Sequence, residues 1–342
     1  MRKLLDRSFK VGCCQRVEEW AIDTDAELSE LPAAPPGSYA ISAESGITFY
    51  TNTSGQWPAD PSKYMSGDSG GGGYNAEFDF GDTIPERAFE GNDNLTKVNI
   101  ANVTSIGEYA FNLCEVLTEV NLPNATSIDE YAFESCTALT EVNLPNAISI
   151  GRYAFDNCEV LTEVNLPNAT SITAFLFNNC FALNEVNVDS ATSVEDYGFC
   201  ACRSLTDITL PNVTGIGTKA FISCINLKTL DFHKAVVIGS EAFANCSSLT
   251  RLICRDDTNI SQLAQDAFTS GDPLNVSMLK IATGQSLTPT DGYIYIPRVM
   301  ISTYNAVYTQ ALGIPDLTPL FRALEDYTVD GTTTGELDES KI

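Results

Sequence analysis

The fold is decided by the stretch IDEYAFESCTALTEVNLPNA, residues 128–147, whose pattern recurs every 22 residues between Ile84 and Asn259. Insertions and deletions are absent from all eight copies. The recurrence is seen in phenylalanine (Phe89, Phe111, Phe133, Phe155, Phe177, Phe199, Phe221, Phe243), leucine (Leu95, Leu117, Leu139, Leu161, Leu183, Leu205, Leu227, Leu249) and cysteine (Cys114, Cys136, Cys158, Cys180, Cys202, Cys224, Cys246). Self-similarity at one fixed period predicts a solenoid, in which each repeat packs only against its neighbours.

Each copy carries one short strand that ends in a turn. In the quoted copy, Leu139, Val142 and Leu144 form the pattern L-x-x-L-x-L, whose last three positions alternate as in a half-buried strand. Pro145 ends the strand, because proline cannot donate a hydrogen bond to a neighbouring strand. The sequence therefore predicts a β-rich, right-handed superhelix of eight 22-residue repeats with a parallel sheet on its concave face.

The consensus Ile-Gly-x-x-Ala-Phe-x-x-Cys-x-x-Leu-Thr-Glu-Val-Asn-Leu-Pro resembles the BspA-like leucine-rich-repeat family over roughly half of the chain. The resemblance implies a leucine-rich-repeat fold and a role like that of bacterial surface adhesins and interaction proteins, without catalytic activity. The chain departs from the consensus at Leu176, Gly198 and Ile253. We expect these departures to loosen single repeats without threatening the fold.

The flanking regions do not repeat, and the sequence divides into five parts. These are a segment at 1–30 with a helix from Val17 to Glu30, a small β-module at 31–65, a glycine-rich linker at 66–80, the solenoid at 81–260 and an α/β cap at 261–342. The module is predicted to hold strands at Ser38–Ile41 and Ile47–Tyr50. The cap is predicted to hold a strand at Tyr293–Pro297 and helices at Val299–Leu312 and Leu317–Tyr327.

Two flanking stretches, residues 37–57 (GSYAISAESGITFYTNTSGQW) and 322–332, resemble structural and repeat proteins of tailed phages and prophages. That resemblance implies attachment to a phage particle through the N-terminal module.

Charge and hydropathy exclude several classes of function. The formal net charge is −26, which argues against nucleic acid as a partner, because phosphate binding needs clustered Lys and Arg. No stretch approaches the roughly 20 apolar residues that cross a bilayer. No apolar run follows the basic start Met1–Arg7, so we expect no signal peptide and a location on a virion or on an extracellular cell surface.

The best candidate binding residues lie at the two polar positions of the repeated strand. One position gives a carboxylate row: Glu119, Glu141, Glu163, Glu185 and Asp207. The row is interpreted either as a stripe for a cation or a basic partner, or as a solvated face that repeat duplication has copied. No cofactor is predicted. Ca²⁺ is the one ion considered, and the Asp-rich loop spacing that calcium loops use is missing.

Two further rows are candidates. The amide row is Asn121, Asn143, Asn165 and Asn187, and the aromatic row is Tyr109, Tyr131, Tyr153, Phe175 and Tyr197. Stacked amides can bond to one another and can also present hydrogen bonds to sugars or peptides. The aromatic row either covers the flank of each repeat or forms a contact strip for a sugar or a protein.

The cysteine row is interpreted as structural, because metal sites need convergent ligands rather than a line. The only histidine of the chain, His233, falls at a turn position, so no metal site is predicted. Gly67–Gly71 (GDSGG) resembles the nucleophile motif of trypsin-like proteases. We predict no protease activity, because no histidine precedes Ser69 to act as the base.

Together these observations predict a non-enzymatic virion protein of a phage or prophage, a fibre or decoration protein whose repeats recognise a protein or glycan on a host cell surface. The N-terminal module would dock to a particle protein, and the sequence leaves open whether the chain forms homo-oligomers. Two alternatives stay open, namely a bacterial cell-surface adhesin and a purely structural spacer.

Overall fold

A computed structural model describes part of the chain in detail. The described residues are 2–7, 17–22, 31, 39–42, 48–50, 74–76, 82–92, 95–100, 102–232, 237–255, 262–263, 267, 293–298, 301–302, 305–306, 321–332, 337–338 and 340–341. The backbone divides into two compact units, Met1–Cys158 and Glu159–Ile342.

Short strands make up the regular structure of the first unit. They are β1 Arg2–Arg7, β2 Val17–Ile22, β3 Tyr39–Ser42, β4 Thr48–Tyr50, β5 Tyr74–Ala76, β6 Thr83–Ile84, β7 Leu95–Asn99, β8 Ser105–Ile106, β9 Glu119–Asn121, β10 Ser127–Ile128, β11 Glu141–Asn143 and β12 Ser149–Ile150.

The second unit is built in the same way. Its strands are β13 Glu163–Asn165, β14 Glu185–Asn187, β15 Ser193–Val194, β16 Asp207–Leu210, β17 Gly215–Ile216, β18 Thr229–Phe232, β19 Val237–Ile238, β20 Arg251–Cys254, β21 Gln262–Leu263, β22 Tyr293–Ile296 and β23 Phe321–Ala323, followed by a 3₁₀ turn at Leu324–Asp326.

Within each unit, strands pair in parallel with the strand one repeat away, in register. In the first unit, β9 pairs with β11 so that Glu119 lies opposite Glu141, and β10 pairs with β12. In the second unit, β13 pairs with β14, and β17 pairs with β19. These pairings confirm the predicted solenoid of 22-residue repeats with parallel sheets.

The core is a stack of identical side chains. In the first unit, the ring centroids of Phe89 and Phe111 lie 5.0 Å apart, as do those of Phe111 and Phe133, with the rings nearly parallel. The rings of Phe133 and Phe155 follow at 5.3 Å, and both are completely buried. The predicted core rows are therefore confirmed, since each repeat covers the apolar face of the one before.

The three departures from the consensus fit the core. Leu176 and Ile253 are completely buried, and Gly198 is buried as well. A Cβ atom at Gly198 would lie 3.0 Å from Ile172 Cγ2 and 3.1 Å from Val194 Cγ1, so these two side chains already fill the space that alanine takes in other repeats.

The turns that follow short strands such as Ser105–Ile106 and Ser127–Ile128 are here called the turn side. They contain two residues with left-handed backbone, four positions apart. Tyr109 and Leu113 have φ values of 56° and 59°, and Tyr131 and Ser135 have 59° and 58°. This conformation strains residues that carry a Cβ. Contacts between repeats hold it in place, because the Leu113 N–H donates to the Glu134 carbonyl (2.9 Å) and the Ser135 N–H to that of Asp156 (2.8 Å).

Leu113→Asn is expected to raise the free energy of unfolding by about 0.5–1 kcal/mol, because asparagine tolerates left-handed backbone better than leucine. Leu113 is 44% exposed, so the change creates no cavity, and other repeats already carry Asn157, Asn179 or Asn245 at this position. Urea unfolding under reducing conditions measures the effect. The reverse change Asn157→Leu serves as the control and is expected to destabilise. A lower midpoint for Leu113→Asn would contradict the strain argument.

The N-terminal segment is a sheet and not a helix where it is described. The prediction of a helix from Val17 to Glu30 is wrong for Val17–Ile22, which pairs antiparallel with Arg2–Arg7 and parallel with Tyr39–Ser42. Its valine, tryptophan and isoleucine favour strands, and these two neighbours supply its hydrogen bonds. The predicted hairpin is confirmed, since Tyr39–Ser42 and Thr48–Tyr50 are antiparallel.

The parallel sheets extend beyond both predicted ends of the solenoid. Tyr74–Ala76, predicted to be linker, pairs with Leu95–Asn99 because it stands about one repeat ahead of it. Past residue 260, Gln262–Leu263 pairs with Val237–Ile238, and the Phe243 N–H donates to the Ala267 carbonyl (2.8 Å).

The predicted final strand is confirmed at Tyr293–Ile296, which pairs in parallel with Arg251–Cys254. The predicted helix at Leu317–Tyr327 is wrong for Phe321–Ala323, which adds a further strand to this sheet, and Leu324–Asp326 forms only a 3₁₀ turn. Pairing with a buried strand thus outweighs the local helical pattern. Residues 301–302 and 305–306 are helical, and the rest of the predicted helix Val299–Leu312 lies outside the described residues.

Candidate functional site

The carboxylate row lies on the solvent-exposed face of strands such as Glu119–Asn121 and Glu141–Asn143, which is here called the outer face. Glu141, Glu163, Glu185 and Asp207 are exposed, and Glu119 is half-buried. Within their units, Glu119 lies opposite Glu141 and Glu163 opposite Glu185. Parallel neighbours of this kind are about 4.8 Å apart, so adjacent carboxylates repel one another.

Asp207 does not continue this row by strand pairing. Its strand Asp207–Leu210 pairs with Thr229–Phe232 in a separate sheet, and no strand pairing joins it to Glu185–Asn187 in the part of the chain that the structure describes. The place of Asp207 beside Glu185 in this row therefore stays a prediction.

One carboxylate of the row is neutralised by the chain itself. Lys97 Nζ lies 2.8 Å from Glu119 Oε2, and this hydrogen bond raises the pKa of Lys97. Among the described residues, no cation pairs with the four remaining members of the row, Glu141, Glu163, Glu185 and Asp207. These four carboxylates are the least compensated charges on the outer face.

The amide row is a chain of side-chain hydrogen bonds. Asn121 Nδ2 donates to Asn99 Oδ1 (2.9 Å), and Asn143 Nδ2 donates to Asn121 Oδ1 (2.9 Å). In the second unit, Asn187 Nδ2 donates to Asn165 Oδ1 (3.0 Å). Asn121 uses one N–H group and one oxygen lone pair in this chain, so its other N–H group and lone pair remain for a partner.

Both polar positions are covered toward the C-terminal end of the second unit. Asp231 is 7% exposed and holds Arg255 through Nε and Nη2, with N–O distances of 2.7 to 2.9 Å. One repeat later, Ile253 replaces the amide and packs with Tyr295 and Leu324. The open polar face of this unit therefore ends before Thr229–Phe232.

The aromatic row is a stack of rings with half-buried side chains. The centroids of Tyr109 and Tyr131, and of Tyr131 and Tyr153, lie 4.8 Å apart, and Phe175 and Tyr197 lie 4.5 Å apart in the second unit. Burial, and then the neighbouring Glu108, raise the pKa of Tyr109.

Cations cover the outer faces of the terminal rings. The Arg87 guanidinium lies 4.1 Å from the centroid of Tyr109, and Lys219 Nζ lies 5.6 Å from that of Tyr197. Because neighbours occupy both faces of Tyr109, Tyr131 and Tyr197, these three rings present their edges and hydroxyl groups and cannot stack a sugar face-on.

The cysteine row is a set of buried thiol donors. Sγ of Cys114 donates to the Phe89 carbonyl (3.0 Å), and Sγ of Cys136 to that of Phe111 (3.1 Å). Cys224 bonds to the carbonyl of Phe199 in the same way (3.0 Å). Burial raises the pKa of the Cys136 and Cys224 thiols well above the ordinary value, so these two thiols are protonated and unreactive at neutral pH.

In the described parts of the chain, no group of three or more His, Cys, Asp or Glu side chains is placed to hold a metal ion. His233, Cys13, Cys14 and the motif around Ser69 lie outside the described residues. The same parts contain no helix long and apolar enough to span a membrane.

The repeats identify the family. The profile described as "BspA type Leucine rich repeat region (6 copies)" matches residues 82–197 and 170–283, which together cover more than half of the chain. The chain belongs to this BspA-type leucine-rich-repeat family. The resemblance inferred from the repeat consensus is thereby confirmed, whereas the phage-like resemblance of the flanks is not shown.

Several solved structures are similar to this BspA-type protein. A leucine-rich repeat protein from Bacteroides ovatus is 22% identical over 54% of this chain, with a TM-score of 0.35, and the match spans 66% of that protein, just under two thirds. The T. pallidum leucine-rich repeat protein is 24% identical over 52% of this chain and 83% of its own, with a TM-score of 0.36.

A leucine-rich cell surface protein from Faecalibacterium prausnitzii is 21% identical over 68% of this chain and 80% of its own, with a TM-score of 0.30. Comparison with curated proteins finds no match. The family assignment therefore rests on the repeat profile.

The buried ion pair of Asp231 and Arg255 is the site feature that sequence reasoning missed. Its signal is an aspartate where the BspA-type repeats carry Asn, combined with an arginine directly after the strand Arg251–Cys254. Each change is unremarkable alone, and only their contact across neighbouring strands makes them a pair.

The turn side of this BspA-type protein carries carboxylates whose pKa values are raised. Burial, and then the neighbouring Asp156, raise the pKa of Glu134, although Asn112 Nδ2 donates to its Oε2 (2.8 Å) and opposes the shift. Burial, and then Glu86 and Glu130, raise the pKa of Glu108. A raised carboxyl pKa means that the folded state binds protons more tightly than the unfolded state, so stability is lost as pH rises through the folded pKa.

The free energy of unfolding is therefore expected to rise as the pH is lowered from neutral toward the ordinary carboxyl value of 4.5. Urea unfolding between pH 7 and pH 4.5 tests this expectation. Further acidification reverses the trend at Asp338, whose pKa is lowered by the Ser340 hydroxyl below 3.8. Glu134→Gln keeps an acceptor for Asn112 and is expected to flatten the pH dependence. A stability that only falls on acidification would contradict the argument.

Proposed function

We propose that this protein is a non-enzymatic recognition protein whose outer strand face, formed by the carboxylate and amide rows, binds the surface of a host cell. The observation that carries the proposal is the set of exposed carboxylates without a cation of their own, at Glu141, Glu163, Glu185 and Asp207. Repulsion between Glu163 and Glu185, which lie opposite each other on paired strands, costs free energy in the unbound protein, and a cationic partner would remove that cost.

The amide row fits a polar partner beside these charges. Each of Asn121 and Asn143 retains an N–H group for a ligand after donating to the preceding amide. A basic protein segment or an amine-bearing glycan would meet carboxylates on one side and amides on the other. Such binding is electrostatic and weakens as salt is added.

In this proposal the repeats are presented on a phage or prophage particle, with the sheet of β1–β4 as the attachment module. The proposal starts from the resemblance to phage structural proteins that was inferred from the sequence of residues 37–57 alone. It is supported by the separate four-stranded sheet to which Tyr39–Ser42 and Thr48–Tyr50 belong. Family membership favours the second candidate, a bacterial cell-surface adhesin, because the BspA-type repeat implies a role of that kind.

Mass spectrometry of density-purified particles and of washed cells from the producing culture separates the two candidates. Peptides of this chain in the particles would support the virion proposal. Peptides on cells alone would overturn it in favour of the adhesin.

Reversing two charges of the outer face, Glu141→Lys with Glu163→Lys, is expected to weaken binding of the full chain to host cells by about tenfold or more. The matched control Glu115→Lys with Glu130→Lys changes the same net charge at exposed residues off the face. Flow cytometry with the labelled protein at low and high salt measures both. Equal binding by the two variants would contradict the outer face as the binding surface, and no binding by the unaltered chain would favour the spacer interpretation.

A further inference from the structure

A second surface is marked by a local break in the repeat pattern. The position after the row cysteine is polar in most repeats and changes character in three consecutive ones. In order it carries Glu115, Thr137, Glu159, Phe181, Arg203, Ile225 and Ser247. Copying of repeats does not explain this change, because the flanking cysteine and leucine are retained throughout.

Phe181, Arg203 and Ile225, here named the loop patch, lie on neighbouring repeats that are joined by hydrogen bonds to their backbone carbonyls. The Ser204 N–H donates to the Phe181 carbonyl (3.0 Å), and Asn226 Nδ2 donates to that of Arg203 (2.8 Å). The Arg203 guanidinium lies 4.5 Å from the centroid of the Phe181 ring. Ile225 is 41% exposed, so apolar surface flanks the cation on both sides.

The cation of the loop patch has no anion of its own. Arg255, Lys219 and Arg298 of the same unit each pair with an aspartate or glutamate, whereas Arg203 has no such pairing among the described residues. Lys228 of this unit also lacks such a pairing among the described residues, but of the two cations only Arg203 lies over an aromatic ring. A guanidinium stacked on a ring keeps its in-plane N–H groups open, in the geometry that binds a carboxylate side-on.

We propose that the loop patch docks a protein segment that presents a carboxylate flanked by apolar side chains. Phe181 would orient Arg203 to take the carboxylate, and Ile225 would pack against an apolar neighbour. The patch offers few hydrogen-bond donors besides Arg203, which favours a protein over a glycan. A second copy of the chain is disfavoured, because two chains of charge −26 repel each other.

The test uses the full chain with ¹³C-labelled isoleucine methyl groups and the blocked tripeptide acetyl-Leu-Glu-Leu-amide as the probe. We expect the peptide to shift the Ile225 methyl resonance saturably in the millimolar range, and acetyl-Leu-Gln-Leu-amide to bind about fivefold more weakly. Arg203→Gln is expected to abolish the difference between the peptides. The control Arg152→Gln removes the same charge from an exposed position in the first unit and should retain it.

Equal binding of both peptides, or no shift of Ile225, would overturn the proposal. A dimer in sedimentation velocity that Arg203→Gln dissolves would also overturn it, because the occupant would then be a second copy. The loop patch lies at a different repeat position from the carboxylate row, so Glu141→Lys with Glu163→Lys should leave peptide binding unchanged. Failure of the outer-face proposal can thus be told apart from failure of this one.

Discussion

Phe133→Ala is expected to lower the free energy of unfolding by about 3–5 kcal/mol. Phe133 is completely buried, and its ring lies between those of Phe111 and Phe155, at 5.0 and 5.3 Å. Truncation removes apolar contacts on both sides and leaves a cavity that two stacked rings cannot close. Equilibrium unfolding in urea, with reductant present for the free cysteines, measures the loss.

Phe181→Ala is the matched control for Phe133→Ala, because it removes the same side-chain atoms from a half-buried surface position. We expect a loss of about 1 kcal/mol or less there. Equal losses at the two positions would show that the stacked rings do not dominate the stability of the repeats.

Arg255→Met is expected to cost about 3–5 kcal/mol, because it leaves the carboxylate of Asp231 buried without its charge partner. The side chains of Arg255 and Asp231 are only 9% and 10% exposed. Thermal and urea unfolding at neutral pH would show the loss. Lys97→Met provides the comparison, since it breaks an ion pair whose members are half exposed and should change the unfolding midpoint little.

The double variant Asp231→Asn with Arg255→Met tests the cause of this loss. Asparagine is the residue that other repeats carry at this position, and it needs no counter-charge. Substantial recovery of stability is expected. If the double variant were no more stable than Arg255→Met alone, the loss would come from the lost packing of the arginine and not from an unpaired buried carboxylate.

The repeat pattern alone predicted the core of this fold because every core contact is a copy of another. Phe133 meets Phe111 and Phe155 at a fixed spacing, so the period of the sequence is also the spacing of the contacts. The carboxylate and amide rows follow from the same argument, since alternation in a strand fixes which residues face outward.

Local patterns failed where the partner of a segment is distant or irregular. Val17–Ile22 and Phe321–Ala323 form strands because other strands pair with them, and nothing within the segments reveals those partners. The covered end of the outer face was missed for a similar reason. In the sequence, Ile253 is only an exception to the repeat pattern. The structure shows that it packs against Leu324.

Because the thiols of the cysteine row are buried, the folded chain resists oxidation. The chain becomes sensitive to oxidants when its repeats unfold locally. Cys136, for example, is completely buried, and its thiol donates a hydrogen bond to the Phe111 carbonyl. If a group of repeats opens, several thiols become accessible together, and an oxidising medium can then cross-link them before the chain closes. In such a medium the working lifetime of this protein is set by how rarely its repeats open, which is a rate and not an equilibrium.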